Sequence, residues 1–342
     1  MKAIVYHNHG SPDVLRCEEI EKPTPGNDEV LIKVSAASVN PLDAGLIKGM
    51  PYIVSLLFGM RKPKDSRIGV DVAGQVEAVG KNVNQFKPGD EVFGVCISDP
   101  KDSGLKVWVT QGAFAEYVCA PESTLVMKPD NVTFEQAASV PVAAFTALQG
   151  LRDKGQIQPG QKVLINGAAG GVGTFAVQIA KSFGADVTAV CSTRNVDLVR
   201  SIGADCVIDY TRQDFTKNGQ RYDLIFDCVG NHSFSACKRV LHPKGMCIAI
   251  APSSGQGMIS FLAGLITTFL LPRFVNHKLV TFLARPNKED LTVMRELMAA
   301  GKVTPVIDRS YKLSEVPEAI RYLEERHARG KVIITLEYQS HA

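Results

Sequence analysis

The chain is predicted to be an α/β protein: a doubly wound parallel sheet joined to a β-barrel or sandwich built mostly from its first third. Three observations carry this. First, Lys162-Val-Leu-Ile-Asn-Gly-Ala-Ala-Gly-Gly-Val-Gly173 reads as a buried strand running into a glycine turn. Val172, Ala176, Ile179, Ala180 and Phe183 then repeat at helical spacing, so a helix opens inside the cluster. Second, from about Gln136 the rhythm becomes strand–helix–strand, with strands predicted at 163–166, 187–191, 206–209, 223–228 and 246–251. Third, the first ~125 residues hold short β-like runs punctuated by Gly and Pro.

The glycine cluster is the most informative element. Counted as Ala168-x-Gly170-x-x-Gly173, it is a dinucleotide fingerprint with alanine at the first glycine. Gly170 lacks a Cβ, so a pyrophosphate can approach the backbone, and Gly173 lets helix and strand pack closely. Ala169, Gly171 and Val172 complete the turn, and a phosphate would sit on the helix N-terminus. The next strand speaks to the cofactor. An NAD site wants a carboxylate near that strand's end to hold the ribose hydroxyls. Here the place reads Ser192-Thr193-Arg194-Asn195, with no acid until Asp197. Two hydroxyls and a guanidinium suit a 2′-phosphate, so NADPH is expected over NADH. The bland alternative is that Arg194 merely caps a surface helix.

The other β-like runs are Lys2 to Tyr6, Val30 to Val34, Val70 to Val79, Glu91 to Val95 and Ala113 to Val118, with Lys87-Pro-Gly-Asp90 as a turn. The tail adds a helix over Glu315 to Glu325 and a strand over Lys331 to Leu336. At 342 residues, two domains are expected. Hydrophobic content of 45%, charged content of 21% and a net charge of +3 describe a globular enzyme and argue against nucleic-acid binding. Met1 leads directly into a strand, so no signal or transit peptide is read and a cytoplasmic location is expected. The eight cysteines show no close spacing and are read as reduced thiols. Met258 to Leu271 is fourteen residues without a charge. A spanning helix needs roughly 20 residues, so this segment is read as a buried helix, a subunit contact or a peripheral membrane toe.

Over essentially its entire length the chain resembles the medium-chain dehydrogenase/reductase superfamily, in its zinc-free quinone oxidoreductase (ζ-crystallin-like) branch. The carrying motifs are Val39-Asn-Pro-Leu-Asp43, Gly69-Val-Asp-Val-Ala-Gly-Gln-Val-Glu-Ala-Val-Gly80 and Lys87-Pro-Gly-Asp-Glu-Val-Phe-Gly94. Further on come Gly112-Ala-Phe-Ala-Glu-Tyr117, Pro141-Val-Ala-Ala-Phe-Thr146, Gly167-Ala-Ala-Gly-Gly-Val-Gly173 and Gly330-Lys-Val332. The resemblance implies a Rossmann NADPH-binding domain (127–284) inserted into a GroES-like β-barrel catalytic domain (1–126, completed by 285–342), with the active site in the cleft between them. Zinc is not expected. The chain has no Cys-x-x-Cys, no Cys near Val39-Asn40, and Gly69-Val70-Asp71 stands where the family's Gly-His-Glu would lie. His7 and His9 on one strand edge are read as solvated.

Without a metal Lewis acid, alcohol oxidation is disfavoured. Hydride delivery to quinones or to α,β-unsaturated carbonyls (enals and enones) remains feasible, because substrate conjugation spreads the developing charge. By resemblance, Asn40 contacts the nicotinamide ribose, or serves only as an Asn-Pro turn. Asp43, Lys48 and Tyr52 follow on the same cleft-facing segment. Tyr52 is the best proton donor in reach, unless solvent supplies the proton. Thr146 matches a threonine near the nicotinamide, Tyr210 an aromatic beside the adenosine phosphate, and Lys331 a cation returned from the tail to the cofactor phosphates. Asp71 and Glu77 are read as structural. A strand near Leu279 to Leu283 is expected to pair across a two-fold axis in a homodimer. Alternative readings are an enoyl-thioester reductase, or a non-catalytic NADPH-binding sensor or membrane-associated protein.

Overall fold

The computed structural model describes residues 1–49, 67–98, 109–250 and 279–336. Tyr52 and the apolar segment 258–271 lie outside the described residues. The chain divides into two compact units: Met1–Val142 with Pro286–Ala300 and Pro305–Ala342, and Ala143–Arg285 with Gly301–Thr304.

The first unit is built on β strands. β1 (Lys2–Val5) pairs antiparallel with β2 (Arg16–Glu19). The main sheet contains β3 (Glu29–Val39), β4 (Asp71–Val79), β5 (Glu91–Val95), β8 (Tyr117–Pro121) and β9 (Leu125–Met127). The tail contributes β16 (Ile307–Lys312) and β17 (Lys331–Thr335), giving the order β16-β17-β3-β4-β5-β9 with β8 also on β3. Two short strands, β6 (Ile97–Ser98) and β7 (Val109–Thr110), form a separate ribbon. Val30, Ile32, Val34, Val72, Val92, Val118, Val332 and Ile334 point into one shared core with Ile320 of the helix Val316–Glu324. The core residues of β3 alternate at period two, as strand side chains do, while Leu31, Ala36 and Ser38 are buried as well.

The strand expected at Ala113–Val118 instead begins at Tyr117. Gly112 turns the chain at φ +86°, and the Ala113 and Phe114 amides donate to Gly69 O and Ile68 O, so they are spent on a loop contact.

The second unit is a parallel sheet. β10 (Lys162–Asn166), β11 (Asp186–Cys191), β12 (Cys206–Asp209), β13 (Tyr222–Asp227), β14 (Leu241–Ala249) and β15 (Leu279–Thr281) lie in the order β12-β11-β10-β13-β14-β15. Renumbered from β10, this is 3-2-1-4-5-6, the doubly wound order whose switch point lies beside its first strand. Val163, Leu164 and Ile165 are fully buried, as a strand covered by helices on both faces requires. β14 starts five residues earlier than hydrophobicity predicts, because His242-Pro-Lys-Gly245 hides the pairing of Leu241 with Tyr222. Among the described residues no helix is long and apolar enough to cross a membrane.

Candidate active site

The glycine turn joins β10 to the helix Gly171–Ser182. Gly167 takes φ +82°, a conformation L side chains avoid, so the tight turn is made one residue before Ala168. This explains why alanine is tolerated at 168. A Cβ on Gly173 would lie 2.1 Å from Gly167 O, so that glycine serves helix–strand packing. Gly170 differs: its Cβ would meet only Gly167 O at 3.5 Å, an ordinary contact. The protein's own packing does not demand glycine there, whereas a phosphate approaching the helix N-terminus would. Beneath the turn, buried Asn166 donates to Asp227 Oδ1 at 2.8 Å and to Asn231 Oδ1 at 2.9 Å. Asp227 Oδ1 also accepts the Val229 and Gly230 amides, locking the β13 exit beside the turn.

At the far end of the switch point, β11 and β12 finish side by side, with Cys191 opposite Asp209. Ser192 is half-buried, Thr193 and Arg194 are exposed, and Tyr210 stands 57% exposed at the same edge. Thr193 donates to Asp209 Oδ2 at 2.5 Å. Thr146 is half-buried on the helix Pro141–Leu148.

The first unit holds a buried polar cluster. Ser38, Asn40, Asp43, Asp71 and Lys331 are all at most 4% exposed. Antiparallel pairing sets Ser38 opposite Asp71 and Val39 opposite Val332, which brings Lys331 beside Asn40 from the other end of the chain. Lys331 Nζ donates to Asn40 Oδ1 at 2.7 Å and lies 3.5 Å from Asp71 Oδ2. An ammonium only donates, so it fixes which end of the Asn40 amide is oxygen. Asn40 Nδ2 then donates to Asp71 Oδ2 at 2.9 Å and to Ser38 O at 3.3 Å. Ser38 Oγ donates to Asp71 Oδ2 at 2.7 Å, and the Val142 amide donates to Asp71 Oδ1 at 3.1 Å. The Asn40 amide therefore has spent both hydrogens and keeps one lone pair on Oδ1.

Asn40 also opens the helix Pro41–Lys48, whose first residue is a proline suited to that position. Asp43 Oδ2 accepts the Asn40 amide at 2.7 Å, while its Oδ1 has no hydrogen-bond partner among the described residues. Burial pushes the Asp43 carboxyl up to about 7, and the Asp71 charge adds to this; the Asn40 amide and Lys331 pull it back. Burial lowers the Lys331 ammonium, with Asp71 and Asp43 holding it up. Cys96 lies in the same pocket of charge, donating to Gly69 O and Val70 O, and burial raises its thiol to about 12.

The structure thus brings Asn40, Asp43 and Lys331 together and adds Asp71 and Ser38 to them. It does not bring Lys48, which is exposed and paired with Glu324 Oε1 at 2.5 Å. The Lys331 ammonium is committed to Asn40 and Asp71. Among the described residues no group of three or more His, Cys, Asp or Glu could hold a metal ion.

Comparison with known proteins agrees with this architecture. The family descriptions "Alcohol dehydrogenase GroES-like domain" and "Zinc-binding dehydrogenase" match residues 26–130 and 202–334. The chain is 36% identical to an NADPH-dependent alkenal/one oxidoreductase of Arabidopsis thaliana, over 98% of this chain and 79% of that protein. It is 35% identical to a 2-methylene-furan-3-one reductase of Solanum lycopersicum, over 98% and 79%. The quinone oxidoreductase structure from Coxiella burnetii superposes with a TM-score of 0.78 at 31% identity, covering 98% of this chain and 99% of that one. With its Rossmann-order sheet inserted into a GroES-like unit and relatives of this kind matched over 98% of its length, the chain belongs to the medium-chain dehydrogenase/reductase superfamily, in its zinc-free quinone oxidoreductase-like branch.

Proposed function

We propose that the chain is a zinc-independent oxidoreductase that transfers hydride from NADPH to quinones or α,β-unsaturated carbonyls. The observation that carries the cofactor is Gly170, a glycine whose missing Cβ leaves room at a helix N-terminus. The names of the relatives, alkenal/one, furanone and quinone reductases, support the acceptor class. A bound nicotinamide supplies the hydride. The second unit is read as its binding domain, with Ala168, Ala169, Gly170, Gly171, Val172 and Gly173 at the pyrophosphate. Ser192, Thr193, Arg194 and Tyr210 are assigned to the adenosine end, and Thr146 to the nicotinamide end. The first unit is read as the catalytic domain. Asn40 keeps acceptor capacity only, so its proposed part is to accept from a ribose hydroxyl. Asp43 and Lys331 are read as holding Asn40 in place. Tyr52 stays the proposed proton donor.

Among the described residues β15 is the last strand of its sheet order, with exposed Leu283 just beyond it, and we propose that this region pairs in a homodimer. All eight cysteines are free, which fits a reducing compartment, and we keep the cytoplasm as the proposed location.

After chelation, NADPH oxidation should proceed with a short quinone, a 2-alkenal or an enone, followed by absorbance, and not with a simple alcohol and NADP. Activity confined to the alcohol and abolished by the chelator would overturn the zinc-independent reading. Arg194→Ala should weaken NADPH much more than NADH. A lost charge-assisted hydrogen bond of about 1.5–3 kcal/mol corresponds to roughly 10- to 150-fold in affinity. Equal loss for both cofactors would remove the 2′-phosphate role.

A further inference from the structure

β11 ends without a carboxylate, but the neighbouring strand ends on one. β12 ends on Asp209, in register with Cys191, and the Tyr210 amide continues the pairing by donating to Cys191 O at 3.0 Å. This places the Asp209 carboxylate within hydrogen-bond reach of Thr193 in the Ser192–Arg194 segment. Thr193 donates to its Oδ2 at 2.5 Å, and Thr211 donates to its Oδ1 through both hydroxyl (2.7 Å) and amide (3.0 Å). The two threonine hydroxyls also approach each other at 3.0 Å. Three oxygen–oxygen contacts therefore share two hydroxyl protons. Asp209 is held below the usual carboxylate range by its bonds from Thr193 and Thr211 and by Arg212, so it is ionised and brings no third proton. An ionised carboxylate only accepts, and it takes both.

We infer that Asp209 is a specificity-determining residue acting against the 2′-phosphate of NADPH, which keeps the adenosine end open to NADH. The inference rests on the proposed placement of the adenosine ribose at Ser192–Arg194. With its proton drawn to Asp209, Thr193 turns lone pairs toward the ribose. Those lone pairs accept a 2′-hydroxyl, the group NADH carries. They repel a phosphate dianion, and Asp209 itself adds a like charge at close range. Ser192 differs from Thr193. Its Oγ accepts from Asn195 Nδ2 at 3.2 Å, which leaves its own proton for a phosphate. The edge thus combines elements of opposite preference: Ser192 and Arg194 for the phosphate, Thr193 and Asp209 for the hydroxyl.

The test uses fragments that report this subsite alone, 2′,5′-ADP and 5′-AMP, titrated calorimetrically into the purified full-length chain. Asp209→Asn should raise the affinity ratio of 2′,5′-ADP over 5′-AMP about five- to tenfold, the size of one nearby, partly screened charge. An unchanged ratio, or one shifted toward 5′-AMP, overturns the inference. Asp209→Ser removes the charge without adding an amide and carries the same expectation, so a folding failure in one variant leaves the other to decide. Arg194→Ala, measured in parallel, should lower the ratio. If the unaltered chain shows no preference for 2′,5′-ADP and Arg194→Ala changes nothing, the NADPH reading falls. The Asp209 result, read as a change in ratio, still stands or falls by itself.

Discussion

Replacing Lys331 with methionine should destabilise the chain by about 3–5 kcal/mol, the penalty for leaving a buried charge without its partner. Lys331 is 4% exposed and Asp71 fully buried, so solvent does little to relieve the orphaned carboxylate. The same change removes the donor to Asn40 Oδ1 and leaves that amide free to turn. Urea unfolding followed by circular dichroism reads the loss. pH gives a second signature. The Asp43 carboxyl, about 7 in the folded chain, lies above its ordinary value of 3.8. The folded state therefore holds an extra proton between those values, and stability falls as pH rises through that window. At pH 5 Asp43 is neutral and Lys331 balances Asp71 alone; at pH 8 it balances two carboxylates. The cost of Lys331→Met should therefore be larger at pH 8 than at pH 5. A loss under about 1 kcal/mol at both values would mean that the cluster is solvated and the pair contributes as a surface pair does.

The fold was legible where short-range pattern determines it. Val163, Leu164 and Ile165 form a short run that suits a doubly covered strand, and the helix after Gly170 repeats its apolar residues at 3.6. The alternation from β10 to β14 follows from such local signals. What escaped is nonlocal. Lys331 and Asn40 are 291 residues apart, and only the pairing of β17 on β3 joins them. Nothing near Gly330-Lys331 marks that lysine as buried rather than solvated. Asp71 read as structural, and its partners turn out to include the very amide assigned to the cofactor. Asp209 was invisible for a different reason: the search for an acid at this end follows one strand, and the parallel register sets one opposite Cys191 on the next. Gly167 was hidden by a counting rule that starts the fingerprint at Ala168, although backbone conformation assigns the turn to the residue before it.

Gly170 and Gly173 offer a contrast that separates cofactor binding from folding. Gly170→Ala should leave stability within about 1 kcal/mol of the starting chain. Residue 170 has φ −83°, which alanine adopts, and the new Cβ meets only Gly167 O at 3.5 Å. Alanine is a poorer helix N-cap than glycine, but the stiffer unfolded chain offsets much of that. Dinucleotide affinity should nonetheless fall on the order of 100-fold, about 2.7 kcal/mol, because the methyl would occupy the space proposed for the pyrophosphate against the helix amides. Gly173→Ala should behave in the opposite order. Its Cβ would lie 2.1 Å from Gly167 O and 2.8 Å from Ala168 Cα, both backbone, so helix and strand must separate. Overpacking of that kind costs about 1–3 kcal/mol or more, and the cofactor site is distorted along with it. Thermal unfolding beside NADPH titration distinguishes the two. If Gly170→Ala unfolds the chain as readily as Gly173→Ala, its glycine serves packing and the open space is not a phosphate cradle. If it binds NADPH unchanged, the pyrophosphate lies elsewhere and the assignment of the turn fails.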